Sequence, residues 1–341
     1  MAVTRVLVGD VYGRILAQIE PDVGAVTARL NAVGQCQFSL AKTDSKALEE
    51  NLHFGNRILL QFDNGLRDWG GIIDPPRDWG LANITCTAYS GEYIFGMRQT
   101  DKGRYFTGAT VGAIYESLID EANAQRDMGI VLGSVWTGGE GHSPDYHFKN
   151  LLDIFQNSLC DRLSDADFDV TASEASGKIV FTANLYERKG SSKTDYPLIE
   201  GQNAQVSRFS EQGNIVNWWD LAGEGSDWGD NRIFSHTEDA TSIGVYGLRQ
   251  SSQIYSDVSV QATLDAHATN ALVQSKDPHN MLELVTLDAV PARFRDYDVG
   301  DTVPLSMHSM GFGGLETNVR IWGRTYAPNL NLCGLVVREE S

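Results

Sequence analysis

The feature that most constrains the fold of this chain is a change in the spacing of its apolar residues. In residues 1–100, and again after about residue 195, polar and apolar residues alternate with a period of two, as in half-buried β-strands. From about residue 104 onwards, apolar residues instead recur every three or four positions, which indicates helices. The sequence therefore predicts a mainly β protein with an α+β insert.

The first region, residues 1–100, contains closely spaced strands, which favour a small antiparallel barrel or sandwich. Asp63-Asn64-Gly65 predicts a hairpin turn, because Asn-Gly readily adopts positive φ angles. Asp74-Pro75-Pro76 is expected to end the preceding strand, since proline donates no ladder hydrogen bond. The predicted strands are residues 5–8, 35–40, 57–62, 68–73 and 83–89.

The insert, residues 101–194, is predicted to be a helix-on-sheet domain. Thr110 is a candidate N-cap for a helix reaching Ala122, and residues 149–163 form a second amphipathic stretch. Residues 168–172 and 178–183 read as a hairpin around Gly177. The basic, serine-rich residues 187–194 are expected to be a linker.

The last region, residues 195–341, is predicted to form a second barrel that contains one helix, at about residues 258–275. Within this region, Gly300-Asp301-Thr302-Val303 opens a strand in the same way as Gly55-Asn56-Arg57-Ile58 does in the first region. Each strand leads to a Trp-Gly pair, at Trp69 in the first region and at Trp322 in the last. This self-similarity predicts two related barrels that flank the insert. The predicted strands are residues 214–221, 242–248, 281–287, 302–307 and 319–327.

The net charge and the cysteine spacing argue against several classes of protein. With 27 basic and 45 acidic side chains, the net charge is −18, the wrong sign for gripping nucleic acid. The four cysteines have no metal-like or disulfide-framework spacing, and we expect them to be small buried residues: Cys36, Cys86, Cys160 and Cys333. No signal peptide or membrane-spanning stretch is predicted, so no membrane insertion is expected.

Two patterns resemble metal-binding motifs, but each lacks residues that such a motif requires. The run Asp161, Asp165, Asp167, Asp169 begins like a calcium loop, but the required glycine and closing glutamate are missing. We interpret it as a solvated acidic loop end. His142 and His147 lie near a glycine-rich segment without further zinc ligands, which favours a mobile loop.

No catalytic constellation is found, so catalytic, cofactor-binding and metal residues are all predicted to be none. There is no GxGxxG, phosphate loop or GxSxG motif, and the carboxylates are too numerous for a glycosidase pair to be chosen. Two alternatives stay open. One is a cell-wall hydrolase with unrecognised carboxylates, and the other is a glycan-binding module with a stacking platform built from Trp218, Trp219, Trp228 and Trp322.

The chain resembles the tail hub, or baseplate hub, family of tailed bacteriophages. The most telling order is Ser242-Ile243 and Tyr246-Gly247, then the helix at 258–275, then Gly300-Asp301 before Val303. Further stretches that carry the resemblance are residues 28–40, 55–62, 69–73 and 152–170.

The resemblance implies two tail-tube-like antiparallel barrels that flank the insert, and a homotrimer forming a pseudo-sixfold ring around the DNA channel. It implies a structural virion protein of the tail tip, assembled in the host cytoplasm and acting in DNA ejection. The implied partners are the distal tail protein or tail tube, the tape measure protein, and tip or fibre proteins. DNA would pass the lumen without specific binding, and any enzymatic activity would come from a partner, since the chain ends at Ser341.

Overall fold

The computed structural model describes residues 3–63, 65–212, 215–225, 232–256, 258–277, 279–308 and 314–340. Asn64, Asn214 and Trp228, named above, lie outside these residues. The chain is mainly β, as predicted. The first region contains the short helices α1 (Glu49–Leu52) and α2 (Tyr93–Gly96). Its strands are β1 (Val3–Gly9), β2 (Ile15–Ile19), β3 (Asp22–Arg29), β4 (Gln35–Ala41), β5 (Arg57–Phe62), β6 (Trp69–Trp79) and β7 (Asn83–Ser90).

The insert has the predicted helix-on-sheet character. Thr110 caps helix α3 (Val111–Gln125), because its Oγ1 accepts a hydrogen bond from the Ala113 amide at 3.3 Å. Helix α4 (Leu151–Asp153) continues as a π-helix over Ile154–Leu163. The strands are β8 (Arg104–Tyr105), β9 (Ile130–Val135), β10 (Asp145–Tyr146), β11 (Asp167–Ala175) and β12 (Lys178–Tyr186).

After the insert come helices α5 (Ala240–Tyr246) and α6 (Gln261–Ser275), and a 3-10 turn at Pro328–Leu330. The predicted helix and the strands at 281–287, 302–307 and 319–327 are confirmed within a few residues. The strands are β13 (Leu198–Ile199), β14 (Ala204–Gln212), β15 (Trp218–Ala222), β16 (Phe234–Glu238), β17 (Gln250–Ile254), β18 (His279–Leu287), β19 (Thr302–Met307), β20 (Leu315–Ala327) and β21 (Leu332–Glu339).

Two local predictions were wrong. Residues 242–248 were predicted to be a strand, but helix α5 covers most of them; the Asp239 carboxylate caps it by accepting from the Ser242 amide at 2.9 Å. The prolines Pro75 and Pro76 do not end β6, which runs on to Trp79. They lie in a bulge opposite β7, where missing amide donors cost the ladder nothing.

One large sheet joins the two β regions. Its main path is β14-β18-β21-β20-β3-β4-β7-β6-β5-β1-β2, and β19 pairs with β20 and β13 beside this path. The crossing point is the antiparallel pair β3 and β20, in which Thr27 lies opposite Thr325. Two tube-like barrels were expected, but among the described residues no ladder closes either half, so each half is an open part of one sheet.

The two halves repeat the same strand order. The first half runs β3-β4-β7-β6-β5 and the second runs β14-β18-β21-β20-β19, with every neighbouring pair antiparallel. A turn of residues 30–34 joins β3 to β4, whereas β14 and β18 are separated by a second insertion. That insertion packs α6 against the three-stranded sheet β16-β15-β17.

The glycines that precede β5 and β19, Gly55 and Gly300, occupy equivalent positions in the two halves, as the similarity of their sequences suggested. The Gly55 amide donates to the Ile73 carbonyl at 2.8 Å, and the Gly300 amide donates to the Ile321 carbonyl at 2.8 Å. Both glycines have positive φ angles, +91° and +97°. The Trp-Gly pairs are not equivalent: Trp69 precedes Ile73 by four residues, whereas Trp322 follows Ile321 directly.

Buried apolar residues form separate clusters that follow these parts. One fills the first half, a second the insert, a third the second half, and a small fourth lies under α6. Leu7, Leu59 and Ile72 belong to the insert's cluster, so the first half packs directly on the insert. No helix in the described ranges is both long and apolar enough to cross a bilayer.

Candidate functional site: a charged junction of sheet and insert

Both halves of the sheet and the insert meet around a small cavity of about 100 Å³. Each of these parts contributes charged groups to the walls, so the cavity marks the place where the three parts are joined. The charged residues used below are Arg67, Glu92, Asp169, Lys189, Asp298 and Arg324.

Asp169, on β11, is the centre of this junction and is 4% exposed. Its Oδ2 accepts a hydrogen bond from Arg67 Nη2 at 2.8 Å and lies 2.9 Å from the Lys189 ammonium. Its Oδ1 accepts from Asn184 Nδ2 at 2.9 Å. Burial alone would raise the pKa of Asp169, but the Lys189 and Arg67 charges outweigh burial and hold the pKa below its usual value.

Asp298 extends the network to the second half of the sheet. Its carboxylate lies 3.6 Å from Arg67 Nη1 and 3.7 Å from Arg324 Nη1. Arg324 is buried on β20 and donates to the carbonyls of Tyr297 at 3.0 Å and Phe294 at 2.7 Å. The guanidinium therefore holds the 288–301 connection against the sheet while it completes the charge network.

Asp167, two residues before Asp169, makes a second group of contacts between the insert and the large sheet. It accepts hydrogen bonds from Asn31 Nδ2 at 3.0 Å and from the Lys189 amide at 2.8 Å, and it pairs with Arg320 of β20. The Asn31 Oδ1 in turn accepts from the Phe168 amide at 2.8 Å. One carboxylate thus ties the β3–β4 turn, the insert and the second half together.

Glu92 brings a third carboxyl group to the cavity, with different electrostatics. Its Oε1 accepts a hydrogen bond from the Val170 amide at 2.9 Å, and its buried Oε2 has no hydrogen-bond partner. Burial raises the pKa of Glu92, and bonds from Ser90 and Val170 only partly oppose this.

The acidic run is therefore only partly the solvated loop that we predicted. Asp161 and Asp165 are exposed, but Asp167 and Asp169 are buried and paired with cations. Their partners are cationic side chains, Arg320 for Asp167 and both Arg67 and Lys189 for Asp169. Across the described ranges, no group of three or more metal-ligating side chains comes together.

The histidine segment is not a free loop. His142 is buried, and its backbone exchanges hydrogen bonds with Ala109 at 2.8 and 2.9 Å. Burial lowers the pKa of His142. His147 contacts Asp145 Oδ2 at 2.7 Å and the Lys102 carbonyl at 2.6 Å. These contacts, and the pairing of β10 with β8, attach the segment to the insert.

Of the tryptophans proposed for a glycan platform, the three that the structure describes are not brought together. Trp218 and Trp219 are neighbours on β15, and consecutive strand residues point to opposite faces. Trp219 packs on the small cluster under α6 and donates to Ser275 Oγ at 2.8 Å. Trp322 lies on β20 of the large sheet and packs on the cluster of the second half.

The cysteines behave as predicted. All four are free, and three are buried while Cys160 is half-buried. Burial raises the pKa of the Cys36 thiol to about 12 and of the Cys86 thiol to about 11. Both are therefore poor nucleophiles at neutral pH.

The sequence analysis missed the junction itself. Its members are far apart in the chain, from Asn31 to Arg324, and no local pattern links them. The only signal was the alternation of Asp167 and Asp169 at the start of a strand, which places both side chains on one face. The predicted linker also belongs to it, because Lys189 is pinned there and the Ser191 amide donates to Asp301 at 2.8 Å.

Comparison with known proteins finds relatives by structure alone. No protein-family model and no curated protein sequence matches the chain. The 43 kDa tail protein of prophage MuSo2 from Shewanella oneidensis matches with a TM-score of 0.62 at 14% identity, covering 98% of each chain. Prophage tail protein gp18 from Listeria monocytogenes EGD-e matches with 0.61 at 14% identity, covering 99% of this chain and 95% of its own.

A tail protein from Neisseria meningitidis MC58 matches with a TM-score of 0.60 at 11% identity, over 98% of this chain and 96% of its own. At these identities the likeness concerns the fold, and it extends over nearly the whole length of each protein. The resemblance to phage tail proteins that the sequence suggested is therefore confirmed at the level of the fold.

Proposed function

We propose that this chain is a structural hub subunit of a phage-type tail tip or baseplate. Three copies form a ring around the DNA channel and join the tail tube or distal tail protein to tip or fibre proteins. The repeated strand order of the two halves carries this proposal. A chain with two similar halves contributes two similar sectors, so three chains give six sectors.

The junction supports the same role. A ring sector must hold its two halves at a fixed angle, and buried ion pairs with satisfied hydrogen bonds define one geometry strictly. Asp167 and Asp169 link both halves and the insert in this way. On this proposal the boundaries 1–100, 101–194 and 195–341 separate a first sector, an insert and a second sector.

The charge of −18 suits a passage for DNA. An acidic wall repels the phosphate backbone, which keeps the passing polyanion from binding. The proposal assigns no catalytic step to the chain, and the carboxylates of Asp167, Asp169 and Asp298 serve as structural partners of cations. A location in the virion tail follows from the role.

Electron microscopy of the purified protein tests the proposal, combined with light scattering for the mass in solution. We expect threefold or pseudo-sixfold rings with an axial hole, at three times the mass of the chain. Particles of a single chain at every concentration, or rings of another symmetry, would contradict it.

A further inference from the structure

The contact between the two halves inside the chain is a pair of strands. Four residues of β3 lie opposite four of β20, with Thr27 facing Thr325 and Val26 facing Tyr326. The hydroxyl oxygens of Thr27 and Thr325 are 3.2 Å apart, so the two side chains share one face of the sheet. The β3–β20 pair thus shows which strands, in which register, can join a first half to a second half.

The repeat fixes which strands are equivalent to β3 and β20. Both β3 and β14 carry a bulge, after Val23 and after Val206. Ile73 and Ile321 accept the equivalent glycine hydrogen bonds, so reading straight across each half from these isoleucines gives equivalent positions. The two rows are Val26, Cys36, Ala88 and Ile73 in the first half, and Phe209, Leu282, Val337 and Ile321 in the second.

The strands β6 and β20 match in the same way. Each carries a bulge beyond its isoleucine, between Asp74 and Arg77 in β6 and between Ile321 and Gly323 in β20. On the far side of the bulge each strand presents an arginine, Arg77 or Arg324. Arg77 donates to the Leu52 carbonyl at 2.8 Å, just as Arg324 donates to the carbonyl of Phe294 in the corresponding connection. Two residues beyond each arginine come Trp79 and Tyr326, which are therefore equivalent.

The strand edges equivalent to the internal contact have no partner. Beyond the bulge, β6 pairs only with β7, and the far part of β14 pairs only with β18, as far as the described ranges extend. Both edges display large apolar side chains: Trp79 is 60% exposed and Phe209 is 39% exposed. An unpaired edge with exposed aromatic residues is a template for another strand.

We propose that β14 of one copy pairs antiparallel with the end of β6 in the next copy, repeating between chains the β3–β20 contact within the chain. This inference rests on the proposed ring and names its subunit interface. The register follows from the repeat: Trp79 lies opposite Phe209, Asp78 opposite Ser210, and Arg77 opposite Glu211.

The chemistry of this register is complementary. It places the aromatic Trp79 opposite the aromatic Phe209, which is a favourable cross-strand pair. The edges belong to opposite halves, so the contact is head-to-tail, and such contacts generate closed rings when the rotation permits. A second copy of this chain is therefore the occupant of each edge.

Cysteine pairs test the register. Directly opposite residues of antiparallel strands have Cα atoms about 4.5–5.5 Å apart, within the range of a disulfide. We expect the double variant D78C/S210C to form covalent dimers and trimers on mild oxidation, visible on a non-reducing gel. The variants D78C and S210C alone should not form trimers.

The matched control is T27C/T325C, which copies the same pair inside one chain. It should form a disulfide without any covalent multimer. If rings are seen by electron microscopy and T27C/T325C closes, but D78C/S210C stays at one chain mass, the strand pairing is overturned and the ring survives. If neither rings nor multimers form, the proposed function fails with it.

A charge at the edge gives an independent test. We expect W79E to abolish the rings but to unfold at the same temperature as wild type when both are measured at dilutions where neither forms rings, because Trp79 is exposed in the single chain. Tyr105 is similarly exposed, at 64%, but lies on the insert, so Y105E should leave the rings intact. Intact rings in W79E would overturn the proposed interface.

Discussion

Replacing Asp169 with asparagine tests the junction most directly, because the substitution keeps the size of the side chain and removes its charge. Arg67 and Lys189 both approach Oδ2, within 2.8 and 2.9 Å, so the variant places an amide where two cations need a carboxylate. Breaking a buried ion pair by removing one partner costs about 3–5 kcal/mol. For 341 residues the unfolding entropy is about 0.7 kcal mol⁻¹ K⁻¹, so D169N should unfold about 4–7 °C lower.

The pH dependence of this loss has a definite sign. The pKa of Asp169 is lowered in the folded protein, so its stabilisation is fully present above the ordinary aspartate pKa. It is lost as the pH falls through the lowered value, and the two unfolding curves should converge in acid.

Calorimetry of the wild type and D169N at neutral and acidic pH measures both effects. The control is E283Q, which breaks the exposed pair of Arg208 and Glu283, at 3.4 Å, and should cost less than about 1 kcal/mol. Equal stability of D169N and wild type at neutral pH would refute the assignment of Asp169 as the centre of the junction.

Three further predictions concern single residues. E92Q should unfold close to wild type in acid, below the ordinary glutamate pKa, and wild type should weaken relative to it as the pH rises from there through the raised pKa of Glu92, which a calorimetric pH series measures. G300A should destabilise more than G55A in denaturant titrations, since a Cβ at Gly300 would lie 2.8 Å from a backbone oxygen, whereas one at Gly55 meets a side chain at 3.2 Å. R324M should cost about 2–4 kcal/mol in the same titration, because it leaves two buried carbonyls without their donor and removes a cation 3.7 Å from the Asp298 carboxylate.

Local patterns predicted much of the fold. Strand β19 matches its predicted bounds, and α3 begins at its predicted cap, because alternation and capping are encoded within a few residues. The strand prediction for residues 242–248 was wrong because it too used only local sequence. The β-branched Ile243 and Val245 favour a strand, whereas the Asp239 side chain that caps helix α5 lies outside that stretch.

The candidate site could not be predicted in the same way. The alternation of Asp167 and Asp169 was visible, but their cations come from Arg67, Lys189 and Arg320, up to about 150 residues away. A polar residue on a strand predicts exposure unless its partner is known. Burial of these carboxylates is thus a property of the assembled fold, as is the pairing of β3 with β20.

The second insertion adds a consequence to the proposed ring. The halves share one strand order, but the first joins β3 to β4 by a short turn, while the second places α5, α6 and a three-stranded sheet between β14 and β18. Six similar sectors would therefore carry this insertion at every second position. On this proposal the wall would be close to sixfold and its decoration threefold.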